Sequence, residues 1–156
     1  MHQIVRNDRA RVWQECEQYR QSLAPPDPTW PPDVQAVAAY IHANLFNENL
    51  KVEQVRRACR IGDNNISGRF RYYVGRGIKE YIDSHRLSLA KRLLFRHSGT
   101  ILSIALEVGY PSHSAFAMSF KRRMGCTPSM YRNHVVKGEK PSLSKAPFDI
   151  TVQTTN

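Results

Sequence analysis

Apolar positions recur with a helical period along most of the chain, and the clearest example runs from residue 101 to residue 132. Phe116 and Phe120 lie four positions apart, which places both side chains on one face of a helix. Gly109 precedes that helix and can adopt the left-handed backbone conformation that ends the helix before it. Ser112 can cap the second helix through its hydroxyl oxygen. Helix, glycine turn and helix in this order predict a helix-turn-helix.

The two helices of this unit are predicted to cross closely, because Ala105 lies four positions before the turn glycine and has a small side chain. The second helix also has an outward face, opposite the two phenylalanines. The residues on that face are His113, Ser114, Ala117, Met118 and Lys121. One face can therefore pack on the protein while the other remains available to a partner.

A weaker copy of the same unit lies upstream, which indicates an internal duplication. A shift of 50 positions places Ile66, Phe70, Gly75 and Tyr81 on Phe116, Phe120, Gly125 and Tyr131. The first unit is predicted to span about residues 50–73, with a scaffold helix over 50–59 and a recognition helix over 63–73. Its outward face by the same geometry consists of Asp63, Asn64, Ser67, Gly68 and Arg71.

The first unit departs from the pattern at its turn. Arg56 and Arg60 occupy the positions that correspond to the small residue and the glycine of the second unit. A residue other than glycine at positive φ costs about 1 kcal/mol or more, and Gly68 inside a helix costs roughly another 1 kcal/mol. We expect the first unit to be the less stable one. Its role stays open: it could read bases, contact only phosphates, or be loosely docked on the rest of the protein.

Between the two units, the spacing of apolar residues predicts a long helix over residues 78–95. Ile78, Ile82, Leu89 and Leu93 recur at intervals of 4, 7 and 4 positions and form one buried stripe. Periodicity alone would also suit any core helix. The duplicated units on either side favour a linker helix.

Residues 1–32 are predicted to be a separate region with a helix from about residue 8 to residue 23, followed by a proline-rich spacer. The helix carries an apolar stripe of Val12, Cys16, Tyr19 and Leu23. This stripe could pack back on the rest of the chain, fray, or mediate a homodimer. After the spacer, Asp33 is predicted to cap the next helix.

Charge is distributed unevenly along the 156 residues, whose net charge is +10 and whose pI is about 9.9. Positions 50–140 contain 18 basic and 6 acidic residues, a net charge of +12, whereas positions 1–49 contain 4 basic and 6 acidic residues. The excess therefore coincides with the two predicted units. This is the electrostatic footprint expected for binding a polyanion such as a nucleic acid.

The second unit resembles the signature of the AraC/XylS transcriptional regulators. The matching positions are Ile104-Ala105, Gly109-Tyr110, Ser114-Ala115-Phe116, Phe120-Lys121 and the run Gly125-Cys126-Thr127-Pro128-Ser129-Met130-Tyr131-Arg132. The resemblance implies an all-α, homeodomain-like fold in which two helix-turn-helix subdomains are joined by a long linker helix. It assigns residues 33–136 to an AraC-type DNA-binding domain, with the second unit at about 101–124. Residues 137–156 are expected to form a mobile tail.

The resemblance implies double-stranded DNA as the partner and divides the site residues into three sets. The base-reading set is Asn64, Ser67, Arg71, His113, Ser114, Ala117 and Met118. The backbone-contacting set is Arg69, Arg76, Arg92, Ser112, Lys121 and Arg122. The structural set of the helix-turn-helix is Ala105, Gly109, Phe116, Phe120, Gly125 and Pro128.

The function implied is sequence-specific regulation of transcription, with activation favoured over repression and with contacts to RNA polymerase. Two alternatives stay open: a nonspecific or architectural nucleic-acid-binding protein with a degenerate first unit, and the DNA-binding fragment of a larger regulator. We find no catalytic constellation and predict no enzyme activity, no cofactor and no metal ligands. Three unpaired cysteines and the lack of an apolar secretion signal or membrane segment predict a cytoplasmic protein. The resemblance implies a bacterial protein that is associated with the nucleoid when it is bound to DNA.

Overall fold

The computed structural model describes residues 2–62 and 65–138, and within them the chain forms eight α-helices and no β-strand. The predicted all-α fold class is therefore confirmed. The helices in chain order are α1 His2–Ser22, α2 Pro32–Asn44, α3 Val52–Ala58, α4 Ile66–Val74, α5 Ile78–Arg96, α6 Ile101–Glu107, α7 His113–Met124 and α8 Pro128–Val136.

The first unit consists of α2, α3 and α4, which pack around one hydrophobic core. α2 contacts both α3 and α4, and α4 contacts α5. Phe70 of α4 is completely buried in this core together with Val55 of α3. The remaining core residues are Val34, Val37, Ala38, Ile41, Leu45, Leu50, Ile66, Ile78 and Ile82.

The second unit consists of α6, α7 and α8 and has a separate core. Ala105, Phe116 and Phe120 are completely buried in it. α8 packs against α5 and α7, which closes the unit on the linker helix. α8 was not among the predicted helices, although Thr127-Pro128 is a typical helix start. Proline suits the first helical position because the N–H that it lacks would be unpaired there.

α5 joins the units because it contributes to both cores. All four residues of the predicted stripe are buried; Ile78 and Ile82 belong to the first core, and Leu89 and Leu93 to the second. α5 is therefore one continuous helix of 19 residues, with its first part packed in the first unit and its second part packed in the second unit.

α1 packs back on the rest of the chain. Val12 and Cys16 are buried in the core of the second unit, while Tyr19 and Leu23 are partly buried beside the core of the first. Arg20 donates a hydrogen bond to the Ala43 carbonyl at 3.1 Å. The apolar stripe that suggested a dimerisation helix is thus covered within the chain.

Three predicted helix starts need correction. α1 begins at His2, earlier than the predicted start at about residue 8. α2 begins at Pro32, so Asp33 lies within the first turn and does not cap the helix. Its carboxylate accepts a hydrogen bond from the Val34 amide at 2.9 Å and also pairs with Arg69. α4 begins at Ile66, later than predicted, since Asn65 still lies in the preceding turn.

Part of the predicted set lies outside the described residues, namely Asp63, Asn64 and residues 139–156 of the predicted tail. Among the helices of the described ranges, none combines the length and the hydropathy needed to cross a membrane.

Candidate nucleic-acid interface

The turn between α6 and α7 is built around Gly109, which adopts a φ of 92°. The Tyr110 amide donates to the Ala105 carbonyl at 2.9 Å, and the Gly109 amide donates to the Leu106 carbonyl at 3.1 Å. This pair of hydrogen bonds satisfies carbonyls that the end of α6 would otherwise leave unpaired. The predicted left-handed conformation of Gly109 is confirmed.

The corresponding turn of the first unit follows the same hydrogen-bonding pattern with a different residue. The Ile61 amide donates to the Arg56 carbonyl at 3.0 Å, and the Arg60 amide donates to the Arg57 carbonyl at 3.1 Å. Arg60 has a φ of 53° and is the one non-glycine residue with positive φ in the described ranges. Because a side chain is disfavoured in this conformation by about 1 to 2 kcal/mol, the turn of the first unit is strained.

α7 begins and ends as the sequence indicates. The Ser112 hydroxyl accepts a hydrogen bond from the Ala115 amide at 3.1 Å, which confirms the predicted cap. Gly125 ends the helix with a φ of 74°. The Thr127 hydroxyl then accepts from the Met130 amide at 3.2 Å and Pro128 opens α8, so the motif both stops one helix and starts the next.

The outward face of α7 is accessible along its length. His113, Ser114 and Lys121 are exposed and Ala117 is half-buried, while the Met118 side chain is exposed. These are the residues that the sequence placed on this face. Such a combination of polar and apolar side chains can contact base edges and thymine methyl groups in a major groove.

The outward face of α4 is accessible as well. Ser67, Gly68 and Arg71 are exposed, whereas Asn64 lies outside the described residues. Tyr72 is 81% exposed, and its ring meets that of Tyr73 edge to face at 5.0 Å. Tyr72 was not among the predicted site residues, although the shift of 50 positions places it on Arg122.

Both recognition helices border one open groove, whose floor is formed by the first part of α5. The lining residues are Val52, Ser67, Arg71, Gly77, Ile78, Lys79, Glu80, Asp83, Arg122 and Arg123. α4 and the end of α7 therefore lie on the same side of the molecule. α1 covers the opposite side of the linker, because the Tyr19 hydroxyl shares a hydrogen bond of 2.9 Å with His85 of α5.

Comparison with known proteins places this geometry in a family. Residues 49–134 match a family described as a helix-turn-helix domain, and this match covers more than half of the chain. The chain belongs to the AraC-type family of helix-turn-helix transcription regulators.

Individual relatives agree with this assignment. An AraC-like transcription regulator of Streptomyces antibioticus is 32% identical over 103 residues, which cover 66% of this chain and 34% of that protein. The C-terminal domain of AraT, a response regulator from Geobacillus stearothermophilus, matches with a TM-score of 0.63 and 22% identity over 80% of this chain and 98% of that domain. The DNA-binding domain of AdpA, solved with a target DNA, matches with a TM-score of 0.60 and 22% identity over 69% of this chain and 96% of that chain. The chain spans less than half of the length of these curated relatives, for example 34% and 27% of two Streptomyces regulators.

Of the residues predicted to contact the DNA backbone, those of the second unit lie on the accessible surface of α7 and at its start. Lys121 and Arg122 are exposed at the end of α7, and Ser112 is exposed at its start. Arg122 lies 3.9 Å from Asp83 of the linker helix, so its guanidinium already points along the groove.

Two of the backbone candidates outside α7 pair with other side chains, and the third lies on the other side of α5. Arg69 pairs with Asp33 of α2, and Arg76 donates to the Ser84 hydroxyl at 3.3 Å. Arg92 lies nine positions after Asp83, on the opposite face of α5. Its contact with phosphate stays a prediction that this geometry does not favour.

Sequence reasoning missed the polar groups that attach α7 to the linker helix. Arg123 donates to the Ser84 hydroxyl at 2.8 Å and to the Glu80 carbonyl at 3.2 Å. The Tyr110 hydroxyl donates to buried Asp83 at 3.2 Å, and burial raises the pKa of Tyr110, so that the hydroxyl stays protonated. These contacts hold the recognition helix at a defined angle to α5.

Proposed function

We propose that this chain is a sequence-specific DNA-binding regulator that inserts α4 and α7 into two successive major-groove segments on one face of DNA. The observation that carries the proposal is the common groove between α4 and the end of α7. Successive major-groove segments on one face of B-DNA lie about 34 Å apart, and helices presented on one side of a rigid molecule can enter both. The site need not be palindromic, because the two units differ in sequence.

Direct readout is assigned to the exposed side chains of both helices. In the second unit, His113 and Ser114 would contact base edges, and Met118 and Ala117 would contact thymine methyl groups. In the first unit, Arg71 suits guanine and Ser67 can contact either kind of base edge. Asn64, which lies outside the described residues, suits adenine by its chemistry. Lys121, Arg122 and the Ser112-capped end of α7 would hold phosphates and set affinity rather than sequence choice.

We propose activation of transcription, with contacts to RNA polymerase, and a site of action on the bacterial nucleoid in the cytoplasm. We propose no catalytic activity for the chain. A homodimer through α1 would have to use its outer face, where Trp13 is exposed, because the apolar stripe is covered.

Two further candidates are each supported by one observation. The coverage of less than half of these relatives' length supports a DNA-binding part of a larger regulator. The strained turn at Arg60 supports a degenerate first unit and thus weaker or nonspecific binding by α4.

Selection from random duplexes tests the proposal. The expected result is one enriched site of two conserved segments, with retention on that site when nonspecific DNA competes at moderate salt. No enrichment, together with full displacement by nonspecific DNA, would contradict sequence-specific binding and favour the architectural alternative. Enrichment of a single segment would leave the first unit without a role in base reading.

A further inference from the structure

Arg86 lies near the middle of α5, between the two cores, and is 5% exposed. Ile82, one turn earlier, belongs to the core of the first unit, and Leu87 belongs to the core of the second. A guanidinium keeps its charge inside a protein, and a buried charge is costly unless acceptors surround it. Apolar packing of the helix therefore does not explain why an arginine occupies this position.

The first partner of Arg86 is the segment that follows α2 in the first unit. Its Nε donates to the Leu45 carbonyl at 2.8 Å, and its NH2 group donates to the Asn47 carbonyl at 2.7 Å. Leu45 follows the last residue of α2, where helix carbonyls lack intrahelical partners and carry partial negative charge. Two acceptors from one segment fix the plane of the guanidinium, because its N–H groups form a rigid fork.

The second partner of Arg86 is the turn between α6 and α7 in the second unit. A methyl group added to Gly109 would lie 2.9 Å from the Arg86 Cζ and 3.0 Å from its Nε. The Cζ also lies 5.6 Å from the centre of the Tyr110 ring, within the range of a cation–π contact. The same buried group therefore contacts both units at once.

We propose that Arg86 is a positioning residue that fixes the first unit relative to the second and thereby sets the spacing between DNA segments that the protein accepts. The second part rests on the proposed function, because spacing matters only if both recognition helices engage one duplex. Rotation of one unit against the other would pull the Leu45 and Asn47 carbonyls away from a guanidinium that Gly109 and Tyr110 hold in place. Such hydrogen bonds weaken steeply as their geometry departs from linear.

Three variants of the full chain separate this role from general stability. Arg86→Met keeps an apolar stem and removes every donor, and Arg86→Lys keeps the charge but loses the planar fork. Lys91→Met is the control, since it removes one positive charge from the same helix. Circular dichroism and thermal unfolding establish that each variant is folded; Arg86→Lys serves if Arg86→Met does not fold.

The first measurement needs no DNA. Spin labels at Ala58→Cys and Ser129→Cys, both exposed, report the distance between the units, with Cys59→Ser as background and Cys16 and Cys126 left buried. We expect one narrow distance distribution for the parent and for Lys91→Met, and a broad one for Arg86→Met and Arg86→Lys. A distribution that stays narrow in folded Arg86 variants would overturn the proposal.

The second measurement uses the duplex obtained by selection and derivatives with one base pair inserted or removed between its segments. We expect each change to lower the parent's affinity about tenfold, and Arg86→Met to reduce that penalty to about twofold while binding the unchanged site about tenfold more weakly. Binding to a duplex with only the second unit's segment should stay as in the parent. An equal loss on this half-site would indicate a merely structural role and overturn the proposal.

Failure of the proposed function gives a different pattern. A parent protein without sequence or spacing preference would overturn that function and the spacing part of this inference. The distance distributions would still decide whether Arg86 fixes the two units.

Discussion

The two helix-turn-helix units share a backbone plan, yet the residues at equivalent positions suit that plan to different degrees. In the second unit Gly109 occupies the left-handed turn position and Ala105 the close crossing, whereas the first unit has Arg60 and Arg56 there. The hydrogen bonds that close the two turns are nearly equal in length. Backbone geometry is therefore maintained in both units, but in the first it is maintained against steric strain.

The ends of the helices extend this contrast. The Thr100 hydroxyl accepts a hydrogen bond from the Ser103 amide at 3.0 Å at the start of α6. Lys51, at the equivalent start of α3, has no side-chain oxygen to accept one. α1 adds to the difference, because it buries Val12 and Cys16 in the core of the second unit. We infer that the first unit opens locally before the second, since it has the lower local stability.

The largest expected effect tests the second unit's turn. Gly109→Ala should lower the free energy of unfolding by about 2 to 3 kcal/mol, because the methyl group is disfavoured at positive φ and displaces buried Arg86 from its carbonyls. Urea unfolding measures this loss. Gly62→Ala is the control: no described atom lies within 4 Å of a methyl group added there, and its φ is not left-handed. Equal stability of the two variants would contradict the packing of Arg86 on the turn.

The next effect concerns whether the first unit reads bases. Arg71→Ala should lose about 1 to 2 kcal/mol of discrimination at one base pair of the segment contacted by α4. His113→Ala is the matched change in the second unit and should relax preference at one or two base pairs of the other segment. Selection from random duplexes with each variant measures both. A uniform loss of affinity for Arg71→Ala, with no change of base preference, would indicate that α4 contacts only the DNA backbone.

Relief of strain in the first unit should produce a smaller change of opposite sign. Arg60→Gly should raise the free energy of unfolding by about 0.5 to 1 kcal/mol, as the left-handed conformation suits glycine. Arg60→Ala keeps the disfavoured φ and controls for loss of the side chain. If Arg60→Gly were no more stable than Arg60→Ala, the difference between the two turns would make no contribution to the free energy of unfolding.

Helical periodicity was sufficient to predict α5, because Ile78 and Leu93 repeat on one stripe, and Gly109 was recognisable because few residues accept a left-handed turn. Arg86 was not predictable in its role, since a charged residue on a helix is ordinarily exposed and its carbonyl partners lie 39 and 41 positions away. The pairing of Arg69 with Asp33 was not predictable for the same reason, because the two residues lie 36 positions apart in the sequence. The stripe of α1 predicted a partner but could not indicate which surface it would meet.

Positions 71 and 121 are equivalent in the two units, and both carry a positive charge. Removal of the charge at position 121 is expected to have a smaller effect on binding than the substitutions above. Lys121→Ala should weaken binding to all duplexes alike and reduce the slope of log affinity against log salt by about one, because one phosphate contact is lost. Titrations at several salt concentrations measure the slope. A loss confined to one duplex sequence would contradict the backbone role of Lys121.

The smallest effect concerns pH and the asymmetric docking of α1. His97 Nδ1 lies 3.0 Å from Asp8 and Nε2 lies 2.9 Å from Glu15 of α1. Burial alone would lower the pKa of His97, but the hydrogen bonds to Asp8 and Glu15 outweigh it and raise the pKa above 6.5. The charged form is thus favoured in the folded protein, so its stabilisation is complete below pH 6.5 and is lost as pH rises through the raised pKa.

His85 and His42 act in the opposite sense over a lower pH range. Burial is the main cause that lowers the pKa of His85 to about 4, and burial also lowers the pKa of His42. Both imidazoles are therefore favoured in the neutral form in the folded protein. The stability that this provides is fully present above pH 6.5 and is lost as pH falls. Above that pH, we expect the melting temperature of the parent to fall and that of His97→Gln to fall less. Parallel curves for the two proteins would show that His97 does not stabilise the docking of α1.

Hydroxyl-radical footprinting on the selected duplex tests whether one rigid molecule presents two recognition helices to one side of DNA. We expect two protected segments on one face, with centres about 10 base pairs apart. One protected segment, or two segments on opposite faces of the duplex, would contradict the account.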